Sequence, residues 1–262
     1  MQKEVKMPKT IVITGAGDGL GRVLARQFNA DGDRVILLGR TLAKVEAVAE
    51  EIGGSNFAVQ CDVGVPESVR QAFSEIGRKA GSIDVLINNA ASYEPFTLAE
   101  ASDDKVLGMV ATNLTGPILC SREALPLMRG GGKILNVSSE SVKLKFAMQW
   151  LYTGTKAGLE CVSDMLDREL APDGIRVASV RCGQMYDESK TGSNWPMDLT
   201  MRFVTENAKI GIDIRNRPLS HYKSIAAGIR NIINCPPDMH VGHIEINGDR
   251  PFNSGNDKKA SA

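Results

Sequence analysis

Thr10-Ile11-Val12-Ile13-Thr14-Gly15-Ala16-Gly17-Asp18-Gly19-Leu20-Gly21 decides how this 262-residue chain is read. A short apolar run, β-branched as buried strands are, leads directly into four glycines and then into a helical pattern over Gly19–Ala30. Glycines let the backbone turn tightly and approach a pyrophosphate closely. The helix behind them offers that anion unpaired N–H groups and the positive end of its dipole. The spacing, Gly15-x3-Gly19-x-Gly21, is not the ordinary GxGxxG. A strand before it, a helix after it and its place in the first strand–helix unit favour a phosphate-binding loop over a glycine-rich surface turn.

Working outward, further short apolar runs occur at Arg34–Leu38, Asn56–Cys61, Asp84–Asn88, Lys133–Ser138, Arg176–Arg181 and His243–Ile246. Between them lie helical patterns at Leu42–Ile52, Pro66–Arg78, Asp103–Met128, Tyr152–Leu170 and His221–Ile233. Continuous Val/Ile/Leu strands alternating with helices imply a parallel sheet covered on both faces. Right-handed crossovers then give an α/β fold, a doubly wound sheet of about seven strands. No repeat or low-complexity linker interrupts the pattern, so residues 1–262 are read as a single domain. Residues 181–218 break the rhythm with a turn-rich stretch that includes Lys190-Thr191-Gly192-Ser193-Asn194-Trp195-Pro196. A connection of that size usually forms a lid or binding loop. The polar tail from about 249 to 262 is expected to fray.

Lys plus Arg equals Asp plus Glu at 31 each, which gives no electrostatic reason to expect nucleic acid or an anionic membrane as partner. The five cysteines, Cys61, Cys120, Cys161, Cys182 and Cys235, form no CxxC pair. They suggest neither a metal site nor a disulfide framework, and they suit a reducing compartment. The polar N-terminus has no signal-peptide core, and no apolar run approaches the length of a membrane span, so a cytoplasmic location is expected.

The end of the second strand reports on the adenosine ribose of a dinucleotide. A carboxylate there suits the 2′-OH of NAD, whereas an Arg suits the 2′-phosphate of NADP. The chain reads Gly39-Arg40-Thr41, without the acid, and Thr41 adds a hydroxyl. Asp18 argues the other way, since it places a negative charge inside the phosphate loop. The balance favours NADP(H) over NAD(H).

From about Lys9 to Gly248 the motifs resemble the short-chain dehydrogenase/reductase family, particularly its 3-oxoacyl-carrier-protein-reductase-like members. The family's TGxxxGxG corresponds to Thr14, Gly15, Gly17, Asp18, Gly19, Leu20 and Gly21. Its acidic adenine contact resembles Asp62, followed by Val63, and its NNAG turn resembles Asn88-Asn89-Ala90-Ala91. Ala91 replaces the last glycine of that turn, which should tighten it or shift its backbone. Asn113 resembles the family's helix-kink asparagine, Asn136-Val137-Ser138-Ser139 its serine motif with Ser139 catalytic, and Tyr152-Thr153-Gly154-Thr155-Lys156 its YxxxK. The resemblance implies a Rossmann-type fold and a catalytic tetrad of Asn113, Ser139, Tyr152 and Lys156. It also implies cofactor contacts at Asn89, Ala90, Tyr152, Lys156, Gly183 and Met185. After the sixth strand relatives show PGxxxT, whereas this chain has Cys182-Gly183-Gln184-Met185-Tyr186-Asp187. Asp187 is then either a contact to the carboxamide or substrate, or a loop cap.

The Tyr–Lys spacing has a chemical reason of its own. Residues four apart on a helix share one face, one turn apart. A free tyrosine, with a pKa of about 10, is a sluggish base near neutrality, and a neighbouring ammonium favours its phenolate. Lys156 is therefore expected to lower the Tyr152 pKa. Taken singly, each of these residues is more often a cap, a packing residue or a solvated charge; the joint spacing beside the glycine loop favours catalysis. The expected reaction is NAD(P)(H)-dependent interconversion of a ketone or aldehyde with its alcohol, with 3-oxoacyl thioesters as an alternative substrate class. A non-catalytic dinucleotide sensor or scaffold is the competing reading, but such relatives often lack the Tyr or Lys. A pocket contributed by Tyr93, Phe96, Phe146, Met148, Trp150, Tyr186, Trp195, Met197 and Phe203 should take a medium-sized apolar substrate. A small-residue face at Gly154, Ala157, Gly158 and Cys161 suggests close helix packing in a homo-oligomer, a tetramer first and a dimer second.

Overall fold

The computed structural model describes residues 7–187, 194–236 and 238–249. The frayed tail expected beyond 249, and the loop residues 188–193, lie outside the described residues. Strands β1 (Thr10–Thr14), β2 (Arg34–Gly39), β3 (Phe57–Gln60), β4 (Val85–Asn88), β5 (Gly132–Ser139) and β6 (Ile175–Cys182) fall close to the runs read from sequence. Two-residue strands β7 (Met185–Tyr186) and β8 (Ser220–His221) pair with each other, and β9 (His243–Ile246) closes the set. The main sheet has seven strands in the order β3-β2-β1-β4-β5-β6-β9, all parallel. After β3 the chain returns to lie against β1 as β4. This reversal opens a crevice at the carboxyl ends of β1 and β4, where such sheets bind ligands.

Helices α1 (Gly19–Ala30), α2 (Leu42–Ile52) and α3 (Pro66–Ala80) link the first four strands. Then come α4 (Asp103–Val110), α5 (Gly116–Ala124), the short α6 (Ser141–Leu144), α7 (Trp150–Leu170), α8 (Met197–Lys209) and α9 (Tyr222–Ile233). Side chains alternate along β1, which explains why its run is apolar throughout. Ile11 and Ile13 enter the core under α1, α2 and α9, while Val12 enters the core under α3 and α5.

Besides the short α6, β7 and β8, which the sequence reading did not include, two longer stretches differ from it. The single helix expected over Asp103–Met128 is interrupted by a π-type turn at Ala111–Thr115, where Gly116 N–H reaches the Ala111 carbonyl five residues back. Pro117 accounts for it, because proline cannot donate to the carbonyl of Asn113 and its ring would collide with that carbonyl in a regular helix. The stretch expected to be turns up to Pro218 contains α8, which begins directly after Pro196 and buries Phe203 and Asn207. Asn207 is fully buried; its side chain donates to Phe203 O at 2.8 Å and accepts from Ala147 N at 3.0 Å, so α8 is fixed to the loop ahead of α7.

Candidate active site

The glycine loop is built on close approach. Gly15 and Gly19 adopt left-handed backbone (φ +67° and +50°), and a Cβ at Gly15 would stand 2.9 Å from Ala90 Cα. A Cβ at Gly21 would collide with the Gly15 carbonyl. Thr14 Oγ1 accepts from both Asn89 N and Ala90 N at 3.0 Å, and Asn89 Nδ2 donates to Thr14 O at 2.9 Å. Thr14 is buried and Asn89 is half-buried, so their side chains tie the loop to the turn after β4. Asp18 caps α1, accepting from Gly19 N at 2.7 Å, which gives its carboxylate a local structural task in the loop. Leu20 and Val63 put their side chains into the core, which leaves only their main chain for a ligand. Ala91 needs no special geometry, since it is not among the residues with positive φ. Asn113 instead holds the next residue, accepting from Ser92 N at 2.8 Å and donating to Ser92 O at 2.7 Å.

At the end of β2, Arg40 is exposed and its guanidinium makes no hydrogen bond or ion pair with a described residue. Thr41 stands at the N-cap of α2 with its hydroxyl unused for capping. Asp62 Oδ1 accepts from Gly64 N at 2.9 Å. Arg40, Gln60, Asp62 and Ser68 line one cleft of about 580 Å³ that runs between α2 and α3.

The four residues of the expected tetrad come from two elements and a turn. Ser139 ends β5, Tyr152 and Lys156 lie on α7, and Asn113 sits, fully buried, in the π-type turn. Asn113 Nδ2 reaches Thr155 Oγ1 at 3.3 Å, and that hydroxyl donates to Tyr152 O at 2.7 Å, which fixes α7 against the turn. Lys156 is 2% exposed and donates to Val137 O at 2.7 Å. Burial lowers its pKa to about 8, since a charged ammonium is poorly solvated there.

Tyr152 corrects one sequence expectation. Burial pushes its phenol up to about 12, and the Ser139 hydroxyl pulls it back only in part, while Cys182, Tyr93 and Glu140 add to the rise. The Lys156 ammonium lies 5.9 Å from the centre of the tyrosine ring and is directed to a main-chain carbonyl. Its field does not overcome desolvation, and the protonated phenol is the favoured form.

Around Tyr152 the aromatic wall is narrower than expected. Tyr93 packs edge-on to Tyr152 at 6.4 Å, Trp195 lies 5.7 Å from Tyr93, and Phe203 bridges Trp195 and Phe146. Phe96 and Trp150 meet edge to face, Tyr186 packs edge-on to His221, and Met197 is 75% exposed. Met148 is buried with φ +62°, a strained conformation for a long side chain.

The segment after β6 is held by contacts that the sequence did not reveal. Gly183 N–H donates to Ile246 O at 2.9 Å, and a Cβ at Gly183 would crowd Asn247. Met185 lies in β7 and packs on the core. Cys182 is buried with its thiol pushed up to about 12 by desolvation, the form of an inert packing residue. Asp187 is buried and faces Arg22 on α1 at 3.8 Å, so it joins the segment to the glycine-loop helix. Glu140, Arg217, Thr155 and Tyr222, whose ring reaches Gly19, are the further residues here. Thr155 is an unspecified position of YxxxK, and Glu140, Arg217 and Tyr222 sit in no motif.

The glycine cradle, the buried ammonium with donors to spare and the unpartnered Arg40 fit a nicotinamide dinucleotide. Residues 9–195 match the model of the short chain dehydrogenases. The chain is 33% identical to an uncharacterised oxidoreductase of Methylorubrum extorquens over 69% of this chain and 74% of that protein. It is 32% identical to meso-2,3-butanediol dehydrogenase of Serratia marcescens over 74% of this chain and 78% of that one. Its fold superposes on the crystal structure of 3-ketoacyl-(acyl-carrier-protein) reductase from Brucella melitensis complexed with NADH. That match has a TM-score of 0.77 at 26% identity and covers 93% of this chain and 98% of that one.

Proposed function

This chain belongs to the short-chain dehydrogenase family, and from that premise we propose that it is an NADPH-dependent reductase of a ketone or aldehyde, working also in reverse, with Tyr152 as general acid/base. It is an oxidoreductase acting on a CH–OH or C=O group. The observation that carries the finer reading is the grouping of Ser139, Tyr152 and buried Lys156, which donates to Val137, at the carboxyl end of β5.

Glycines 15, 17, 19 and 21 and the α1 N-terminus would receive the pyrophosphate, and Arg40 with Thr41 the 2′-phosphate. Asp62, Val63, Asn89 and Ala90 would border the adenosine half, and Gly183 and Met185 the nicotinamide half. When bound, the reduced nicotinamide supplies hydride to the carbonyl carbon. Ser139 holds the carbonyl oxygen, and Tyr152, kept protonated by its surroundings, delivers a proton to it. Lys156 has three N–H donors and spends one on Val137, leaving the others for ribose hydroxyls. Asn113 holds the π-type turn against α7 and so fixes where Tyr152 stands.

Arg40, unpartnered at the end of β2, supports NADPH over NADH; Asp18, spent on its cap, weighs less against it than its charge alone suggests. The aromatic wall of Tyr93, Trp195, Phe203 and Phe146 supports a medium-sized apolar carbonyl compound, with 3-oxoacyl thioesters as the second class. A homo-oligomer in the cytoplasm, tetrameric first and dimeric second, completes the proposal. Among the described residues no helix is long and apolar enough to cross a membrane. The test is cofactor absorbance with NADPH and with NADH across cyclic ketones, quinones, sugars and acyl thioesters. Turnover with NADPH on an apolar ketone supports the reading. A consistent preference for NADH would remove the assignment of Arg40.

A further inference from the structure

The residue after Ser139 is a glutamate, and it is not an ordinary surface acid. Glu140 has 8% of its side chain exposed and forms an ion pair with Arg217, whose side chain is 18% exposed. The same carboxylate packs against the main chain of the segment after β6, its Oε2 lying 3.4 Å from where a Gly183 Cβ would stand. The Glu140 N–H donates to Cys182 O at 2.9 Å. The Arg217 guanidinium rests 5.3 Å over the Phe146 ring, beside the aromatic wall. Glu140 therefore joins the end of the serine strand to the segment after β6, and through Arg217 it reaches Phe146 in the loop before α7.

Nothing in the local sequence stiffens that place. Proline fixes φ and stiffens the chain ahead of a glycine, and here Cys182 takes that position. Gly183-Gln184 would then be free to sample other conformations unless something outside the segment holds it. A buried carboxylate packed against Gly183 and fixed by a charge-assisted bond to Arg217 is a restraint of that kind.

We propose that Glu140, locked by Arg217, is a positioning residue that holds Gly183–Gln184 in the geometry that receives the nicotinamide half of the cofactor, doing here what proline does elsewhere. The inference rests on the cofactor reading above, since a tether at this place matters to the reaction only if that segment borders the nicotinamide.

The experiment compares wild type, Glu140→Gln, Arg217→Gln and the double variant by amide hydrogen exchange and by NADPH steady-state kinetics on an accepted ketone. Glu140→Gln keeps shape and removes charge. Exchange over residues 183–187 is expected to rise about tenfold while the rest of the sheet is unchanged. The KM for NADPH is expected to rise about tenfold with kcat within about threefold, and the double variant to be no worse than the worse single one. Exchange over 183–187 within about twofold of wild type, or a rise spread evenly over the whole sheet, would overturn the proposal. Arg217→Gln, at a more exposed position, gives the same test if Glu140→Gln does not fold. Localised exchange with no turnover of any carbonyl would sink the cofactor and substrate reading while leaving the tether itself in place.

Discussion

At the scale of single residues, Tyr152 and Lys156 show how burial sets the chemistry. Both lie where their charged forms are poorly solvated, so the phenol stays protonated and the ammonium loses protons more readily than usual. A lysine pKa lowered from 10.5 to about 8 means that the fold bears the cost of a charged ammonium below pH 8. That cost is relieved between pH 8 and 10.5, where the folded state has released the proton and the unfolded state still holds it. At about 1.4 kcal/mol per pKa unit it comes to about 3 kcal/mol, against about 1 kcal/mol for the lost hydrogen bond to Val137. Lys156→Met is therefore expected to be more stable than wild type by about 2 kcal/mol at pH 7, with an advantage that fades as pH approaches 10.5, while cofactor binding weakens. Denaturant melts of both proteins at pH 7 and pH 10 measure this. A variant less stable at pH 7 would show that the buried charge is already compensated.

At the scale of elements, the π-type turn at Ala111–Thr115 is the feature that places Asn113. Pro117→Ala restores the missing donor and allows a regular helix through α4 and α5. The variant is expected to keep or raise its melting temperature and to lose about tenfold or more in kcat/KM as Asn113 leaves Ser92 and Thr155; paired melting and rate measurements separate the two effects. The strands and most helices were legible in the sequence because Ile11-Val12-Ile13 and its counterparts are apolar on both faces and glycines mark where they end. The break at 111–115 was not, because a helical apolar period continues through it and Pro117 is its only local sign. Helix α8 was hidden for the opposite reason. It follows a polar, turn-forming stretch, and its buried Asn207 reads as a loop residue until Ala147 and Phe203 are brought to it. The spacing of Ser139, Tyr152 and Lys156 was legible because it is local to β5 and α7. Glu140–Arg217 and Arg22–Asp187 join residues 77 and 165 positions apart, and no sequence period records such pairs.

At the scale of the molecule, the sheet is clamped from both sides so that the crevice at β1 and β4 keeps its shape. On one side Arg230 of α9 binds Asp31 at 2.8 Å and Asp33 beyond α1, and it stacks 4.0 Å over Phe28. On the other, Asn88 and Asn136 bridge β4 and β5 at 2.8 Å, and Asn136 donates to Ser163 of α7 at 2.9 Å. Removing a partner from a buried ion pair leaves the remaining charge stranded. Arg230→Met is expected to lower unfolding stability by about 3 kcal/mol while kcat stays near wild type, since none of these groups touches the site. Urea unfolding with a parallel rate assay checks it; a large loss of kcat in protein that remains folded would mean that α9 governs the crevice more directly than these contacts imply.

The central claim is that Tyr152 moves the proton. The direct measurement is single-turnover NADPH oxidation by Tyr152→Phe on a ketone that wild type reduces, together with NADPH binding by fluorescence. The rate is expected to fall by about a thousandfold or more, with NADPH affinity within about threefold of wild type. A Tyr152→Phe enzyme that turns over at the wild-type rate would contradict the account.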